Sequence, residues 1–118
     1  MTEQVGADQQ RERSGAARMF GEFGPALVHF TDDVLFGEAW TRPELSPRDR
    51  SLVTVTALAA AGNTEQLPFH LGLARRNGLT ETELTEAITH LAFYADWPRA
   101  MSAMTVAKQA FSGSQDDK

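Results

Sequence analysis

Apolar residues recur along this chain at steps of three and four, and one stretch is apolar on nearly every face. In residues 51–61 only Ser51, Thr54 and Thr56 interrupt the run of Leu, Val and Ala, and a threonine hydroxyl can be satisfied by carbonyls of its own helix. A helix apolar all round must be buried all round, which a small monomer can hardly arrange. Gly62 and Asn63 break this helix. The pattern then predicts a second one, opened by Asn63 with Gln66 three residues on and closed by Asn77 and Gly78. Asn63, Gln66 and His70, at steps of three and four, share one face of it. A buried helical wall facing three polar groups is the best candidate site in the chain.

The remaining elements follow from the same periodicity. Ala16, Ala17, Met19, Phe20 and Phe23 form a short stripe that stops at Gly24 and Pro25. Pro25 opens a helix expected to bury Leu27, Val28, Phe30, Val34, Leu35 and Trp40, with Asp32, Asp33 and Glu38 wet. Residues 41–45 read as a loop. Ser46, Pro47 and Asp49 mark a helix start by N-cap, first-position proline and third-position carboxylate. Thr80 with Glu83 is a capping box for a helix burying Leu84, Ile88, Leu91 and Phe93. The stretch 95–98 breaks that helix, and a last one turns Ala100, Met101, Met104, Ala107 and Phe111 inward. No alternating strand pattern appears, so the class is all-α, with about six helices.

At 118 residues there is room for one core. The expected organisation is a disordered polar tail over residues 1–12, a single helical domain over 13–112 and a solvated tail over 113–118. A net charge of -5, with no basic face, argues against nucleic acid as a partner. No apolar run approaches the roughly 18 residues a membrane helix needs, and the N-terminus lacks the hydrophobic core of a secretory signal. A cytoplasmic location is the default expectation. With no cysteine, the chain has no disulfide, thiol-redox or thiolate-metal chemistry.

Three features together are specific: W-x-R-P-x-L-x-x-R-x-R-S-L at residues 40–52, E-x-L-x-x-H-x-x-x-A at 65–74, and Y-A-x-x-P at 94–98. They closely resemble the carboxymuconolactone decarboxylase family, part of the superfamily with the alkyl hydroperoxidase D-like fold, over roughly residues 30–111. The resemblance implies an all-helical subunit assembled as an obligate trimer or hexamer, with active sites near subunit contacts. It also implies a lyase in the catabolism of aromatic compounds. The peroxidase branch carries C-x-x-C-x-x-x-H; here Asn63 and Gln66 occupy the cysteine positions and only His70 remains, so peroxidase chemistry is excluded.

The family's named reaction removes CO2 from a carboxylated butenolide and needs no metal or organic cofactor in principle. It needs carboxylate binding, stabilisation of a developing oxyanion and delivery of a proton to carbon. His70 is the expected proton donor and acceptor, because its ordinary pKa lies near working pH. Arg42 and Arg50 are the expected carboxylate clamps for a small anionic substrate. Gln66 or Asn63 would donate to the oxyanion. Glu65 is a candidate to orient His70, although five helical residues separate them by about 140°. Trp40, Tyr94 and Trp97 are candidates for substrate contact, with a core role the commoner fate of such aromatics. His90, on one face with Glu83, Glu86 and Tyr94, reads as part of a wet surface, and His29 as structural. Asp96 and Glu44 stand where the family commonly has glycine, which leaves the substrate open. The alternatives are a same-fold isomerase or other acid/base enzyme on a different carbonyl compound, and a non-catalytic oligomeric binding protein.

Overall fold

The computed structural model describes residues 15–115, with side chains through Ser112. The expected tail over residues 1–12 lies outside the described residues, as do the last three residues of the chain. Among the described residues there are six α-helices and no strand. The chain divides into two compact units after Leu45.

The first unit holds α1 (Ala16–Phe20) and α2 (Pro25–His29), the latter running directly into a π-helical segment, Phe30–Phe36, followed by a 3-10 turn, Ala39–Thr41. Pro25 sits in the first turn of α2, where its missing N–H costs nothing. The facing of this helix differs from expectation. Asp32 is buried at 1% exposure with Phe36, whereas Leu27, Phe30, Val34 and Leu35 are exposed. The inner face is Val28, Asp32 and Phe36, each four residues on from the last, a spacing the wide π turns hold in register. Phe36, which lies outside the predicted stripe, stacks on Trp40 at 5.9 Å and 17° between planes and fixes this orientation. Gly37 ends the π segment. A Cβ there would collide with the Asp33 carbonyl, so only glycine fits.

The second unit is a four-helix arrangement of α3 (Pro47–Ala61), α4 (Leu67–Arg76), α5 (Glu81–Tyr94) and α6 (Trp97–Gln115). α3 starts where the cap residues predict, the Asp49 N–H donating to Ser46 Oγ at 3.1 Å. It ends at Gly62, whose φ of 78° is left-handed. α5 opens with the expected capping box: the Glu83 N–H donates to Thr80 Oγ1 and the Thr80 N–H to Glu83 Oε1. α4 stops in a double hydrogen-bonded turn, Leu79 N–H to Ala74 O and Gly78 N–H to Arg75 O.

The start of α4 is a correction. Its first helical residue is Leu67, and Asn63 lies outside the helix. Pro68, fixed in φ and lacking an N–H, sits in the first turn, where that donor would have no partner within the helix. Neither Asn63 nor Gln66 forms a side-chain cap, so the predicted Asn63-Gln66-His70 helical face does not exist as such. Asp96, at a usual glycine position, has no left-handed backbone; it caps α6, accepting the Arg99 N–H at 3.1 Å. Glu44 likewise lacks a positive φ.

The core joins Val55 and Ala59 of α3, Leu67, Leu71 and Ala74 of α4, Leu84 and Ile88 of α5, and Ala100, Ala103, Ala107 and Phe111 of α6. Leu79 closes it. Phe93 and Met101, predicted inward, are exposed in the single chain. Replacing Leu71 with Ala is expected to cost about 2–5 kcal/mol by cavity formation. Thr80→Ala should cost about 1 kcal/mol by loss of its cap, as should Asp96→Ala, while Asp96→Gly should cost only about a few tenths. Urea denaturation followed by circular dichroism measures all four.

Candidate functional site

α3 and α4 form an antiparallel pair tied at one end by Asn77, whose Nδ2 donates to Ser51 Oγ at 2.9 Å and to Pro47 O at 3.4 Å. Arg50 belongs to that end. His70 lies seven residues before Asn77, about 10 Å further along α4 by the helical rise. The structure therefore sets the backbones of Arg50 and His70 at two levels of one helical pair. Both side chains are half-buried, and His70 Nδ1 and Arg50 Nε are sealed from solvent. Burial pushes the His70 pKa below its ordinary 6.5, because the charged form loses hydration. The Phe69 ring meets the His70 ring edge-on at 5.0 Å. A neutral imidazole near pH 7 is the result.

The opposite end of the pair carries an arginine that sequence reasoning missed. Arg99 Nη1 donates to Ala60 O at 2.9 Å and the side chain lies against Gly62, closing the C-terminal end of α3 beside the turn that leads to His70. Its sequence context, one turn into a helix, gave no sign of this. Asn77 was read as a helix stop, and its amide bonds to α3 were equally hidden.

The other predicted residues are dispersed. Gln66 and Glu65 are exposed in the turn before α4. Tyr94 is 79% exposed and stacks on His90 at 4.8 Å, and Trp97 meets Phe93 edge-on at 5.4 Å. Neither is core in the single chain. Trp97 and Phe93 line a shallow apolar depression of about 240 Å3 with Met101 and Met104. Trp40 and Arg42 belong to the first unit, where Trp40 packs on Phe36 and the Arg42 guanidinium lies 3.7 Å from Glu44, both exposed.

A larger groove of about 790 Å3 runs between α3 and α5, floored by Leu52, Val53, Leu79 and Leu91 and edged by Arg48, Glu83, Glu86 and His90. None of the predicted site residues lines it. The backbone N–H of Thr80 and the charge of Arg48, which pairs with Glu83, hold the Glu83 carboxyl below its usual range. His90 thus edges an amphipathic groove. Among the described residues no group of three or more His, Asp or Glu is placed to hold a metal ion, and no helix is long and apolar enough to cross a membrane.

The depressed His70 pKa links folding to pH. The unfolded imidazole titrates near 6.5 and binds protons that the folded one refuses, so this contribution to stability is intact above pH 6.5 and erodes as pH falls below it. Urea midpoints should drop on acidification through that window, and His70→Asn should flatten this component. An NMR titration should place the His70 midpoint below 6.5.

Residues 25–109 match the carboxymuconolactone decarboxylase family. The chain is 38% identical over 90 residues to a 4-carboxymuconolactone decarboxylase of Acinetobacter baylyi, covering 76% of this chain and 67% of that one. It is 33% identical over 81 residues to the nitrosuccinic acid decarboxylase npaB of Metarhizium robertsii, covering 69% of this chain and 57% of the relative. The chain thus spans about two thirds of the first relative and just over half of the second. By the extent of these matches, this chain is a member of the carboxymuconolactone decarboxylase family.

Proposed function

We propose that the protein is a cofactor-independent decarboxylase, a carbon–carbon lyase of the 4-carboxymuconolactone decarboxylase type, acting on a small carboxylated lactone. The observation that carries this reading is a half-buried imidazole of lowered pKa on α4, in a chain whose two named relatives are both decarboxylases. When the carboxylate leaves as CO2, its bonding electrons pass through the ring double bond into the lactone carbonyl, giving a dienolate. That oxyanion requires a donor, and the carbon that receives the proton requires an acid.

His70 supplies the proton as imidazolium. In the free protein burial disfavours that form; a bound dianion beside the ring favours it again. Substrate binding thereby charges its own acid. Arg50, about 10 Å along the helical pair, holds a second carboxylate at the far end of a small dicarboxylate. Gln66, one helical turn before His70, is the amide donor to the oxyanion.

The second relative favours a neighbouring reading. In nitrosuccinic acid a nitro group takes the place of the conjugated carbonyl as electron sink, and the dicarboxylate is open-chain. The shared requirement is a leaving carboxylate next to a π acceptor. We further propose that the working form is a homo-oligomer, trimer or hexamer. The outward Val53 and Ala57 of α3 and the exposed Phe93, Tyr94, Trp97 and Met101 are the surfaces that favour assembly. An isomerase of the same fold, or a non-catalytic binding protein, would release no CO2.

Incubation with 4-carboxymuconolactone should release CO2 and form the enol-lactone. His70→Ala should lower kcat by about 10²–10⁴-fold with the assembly intact, and Arg50→Ala should raise KM. Absence of CO2 at high protein concentration, from this lactone and from nitrosuccinate alike, would refute the decarboxylase assignment. The kcat/KM profile should decline with rising pH from a midpoint below 6.5, and the kcat limb should lie higher, because only the complex contains the dianion.

A further inference from the structure

We infer that Asn77 is a site of spontaneous deamidation, guarded by the fold and reached when the turn between α4 and α5 opens, whose conversion unties α4 from α3. The chain has two asparagines, and Asn77 is the one followed by glycine. Glycine has no side chain to shield its backbone nitrogen, so that nitrogen can close on the preceding side-chain amide at little steric cost. Gly78 is exposed, and nothing lies within 4 Å of where its Cβ would stand, so water reaches the nitrogen. Asn63 instead precedes Thr64, whose branched Cβ crowds the same approach.

In the folded chain both reacting groups are engaged. The Gly78 N–H donates to Arg75 O at 3.1 Å. Asn77 Nδ2 donates to Ser51 Oγ at 2.9 Å and to Pro47 O at 3.4 Å, which holds the side chain against α3. Reaction therefore waits for a local opening that breaks these bonds. The Gly78 nitrogen then gives its proton to water and attacks Asn77 Cγ. The Cγ–Nδ2 bond breaks, ammonia leaves and a succinimide ring closes. Water opens that ring at either carbonyl, giving aspartate or its isoaspartyl isomer, whose backbone is longer by a methylene; nothing is oxidised or reduced. Either product lacks the Nδ2 donor. Its oxygens face Pro47 O, another acceptor, and the fully buried Ser51 Oγ loses the bond it accepted. The isoaspartyl form also displaces the backbone just before Leu79, a residue of the core. The tie that sets α4 against α3 is thereby lost.

The full chain is incubated in warm, mildly alkaline buffer, with and without urea, and followed by peptide mapping and enzymatic detection of isoaspartate. Acid product should accumulate at Asn77 ahead of Asn63, and several-fold faster in urea. Ser51→Ala, which removes a partner of the amide, should speed conversion of the folded chain several-fold and leave the rate in urea unchanged. Asp96→Ala, which weakens the α6 cap instead, should leave both rates as they are. Equal rates with and without urea, or faster conversion at Asn63, overturn the inference. Equal acceleration by Ser51→Ala and Asp96→Ala overturns it too, by making global unfolding the route. Asn77→Asp should lower the urea midpoint of unfolding; an unchanged midpoint refutes the untying of α4. None of these readouts depends on turnover, so the test stands apart from the decarboxylase assignment.

Discussion

Close packing along one line of small residues on α3 is the constraint from which the second unit follows. Ser51, Val55 and Ala59, four residues apart, are all buried. Short side chains there let α4, α5 and α6 approach α3 closely, and the Asn77 amide on Ser51 Oγ sets the register of α4. One stripe of α3 is consumed in this way. The remaining apolar positions, Val53 and Ala57, are left outward. A helix apolar on all sides can be buried on one side by its own chain and on the others only by something else.

Local chemistry made most of the second unit legible. Ser46, Thr80 and the Asn77-Gly78 stop act through hydrogen bonds that span three to five residues, and these appear where the sequence places them. The start of α4 was misread because Asn63 and Gln66 imitate a cap, while Pro68, which lacks an N–H, occupies the first turn of the helix. In the 25–36 helix the period was right and the direction wrong. Hydrophobic periodicity identifies which residues share a face but not which face turns inward, and here the inward face carries Phe36, stacked on Trp40. The same limit explains Phe93, Tyr94, Trp97 and Met101. Apolar character predicts burial, and a sequence does not state whether its own chain supplies the cover.

The candidate site was legible as residue types and far less as geometry. His70 stood out for an ordinary pKa near working pH, and burial instead depresses that pKa, which depends on packing that the sequence does not show. Arg99 at the end of α3 and Asn77 across its start depend on tertiary packing, which no local pattern encodes. Asp96 shows the reverse case. A glycine position suggested a special backbone, yet the carboxylate serves a helix N-terminus, where both hydrogen bonding and the helix dipole favour it. Its negative charge is therefore partly absorbed by the helix and opposes an anionic substrate less than its formal charge implies.

A buried imidazole with a lowered pKa is a poor resident acid and a good conditional one. Alone, it is neutral at pH 7 and costs little to bury. Beside a dicarboxylate, the same low-dielectric surroundings that expelled its proton strengthen attraction between imidazolium and anion. Burial thus penalises charge when the site is empty and rewards it when a counter-charge arrives. In the proposed decarboxylation, the negative charge would move from the carboxylate into the acceptor as CO2 departs, and an acid already charged by the substrate would stand ready where the carbanion carbon is quenched. The energetic coupling would run through one ring, half-buried and met edge-on by Phe69. On the proposed reading a sink of either kind, conjugated carbonyl or nitro group, would satisfy it, because the protein's part would be to hold the carboxylates and time the proton while the substrate carries its own electron acceptor.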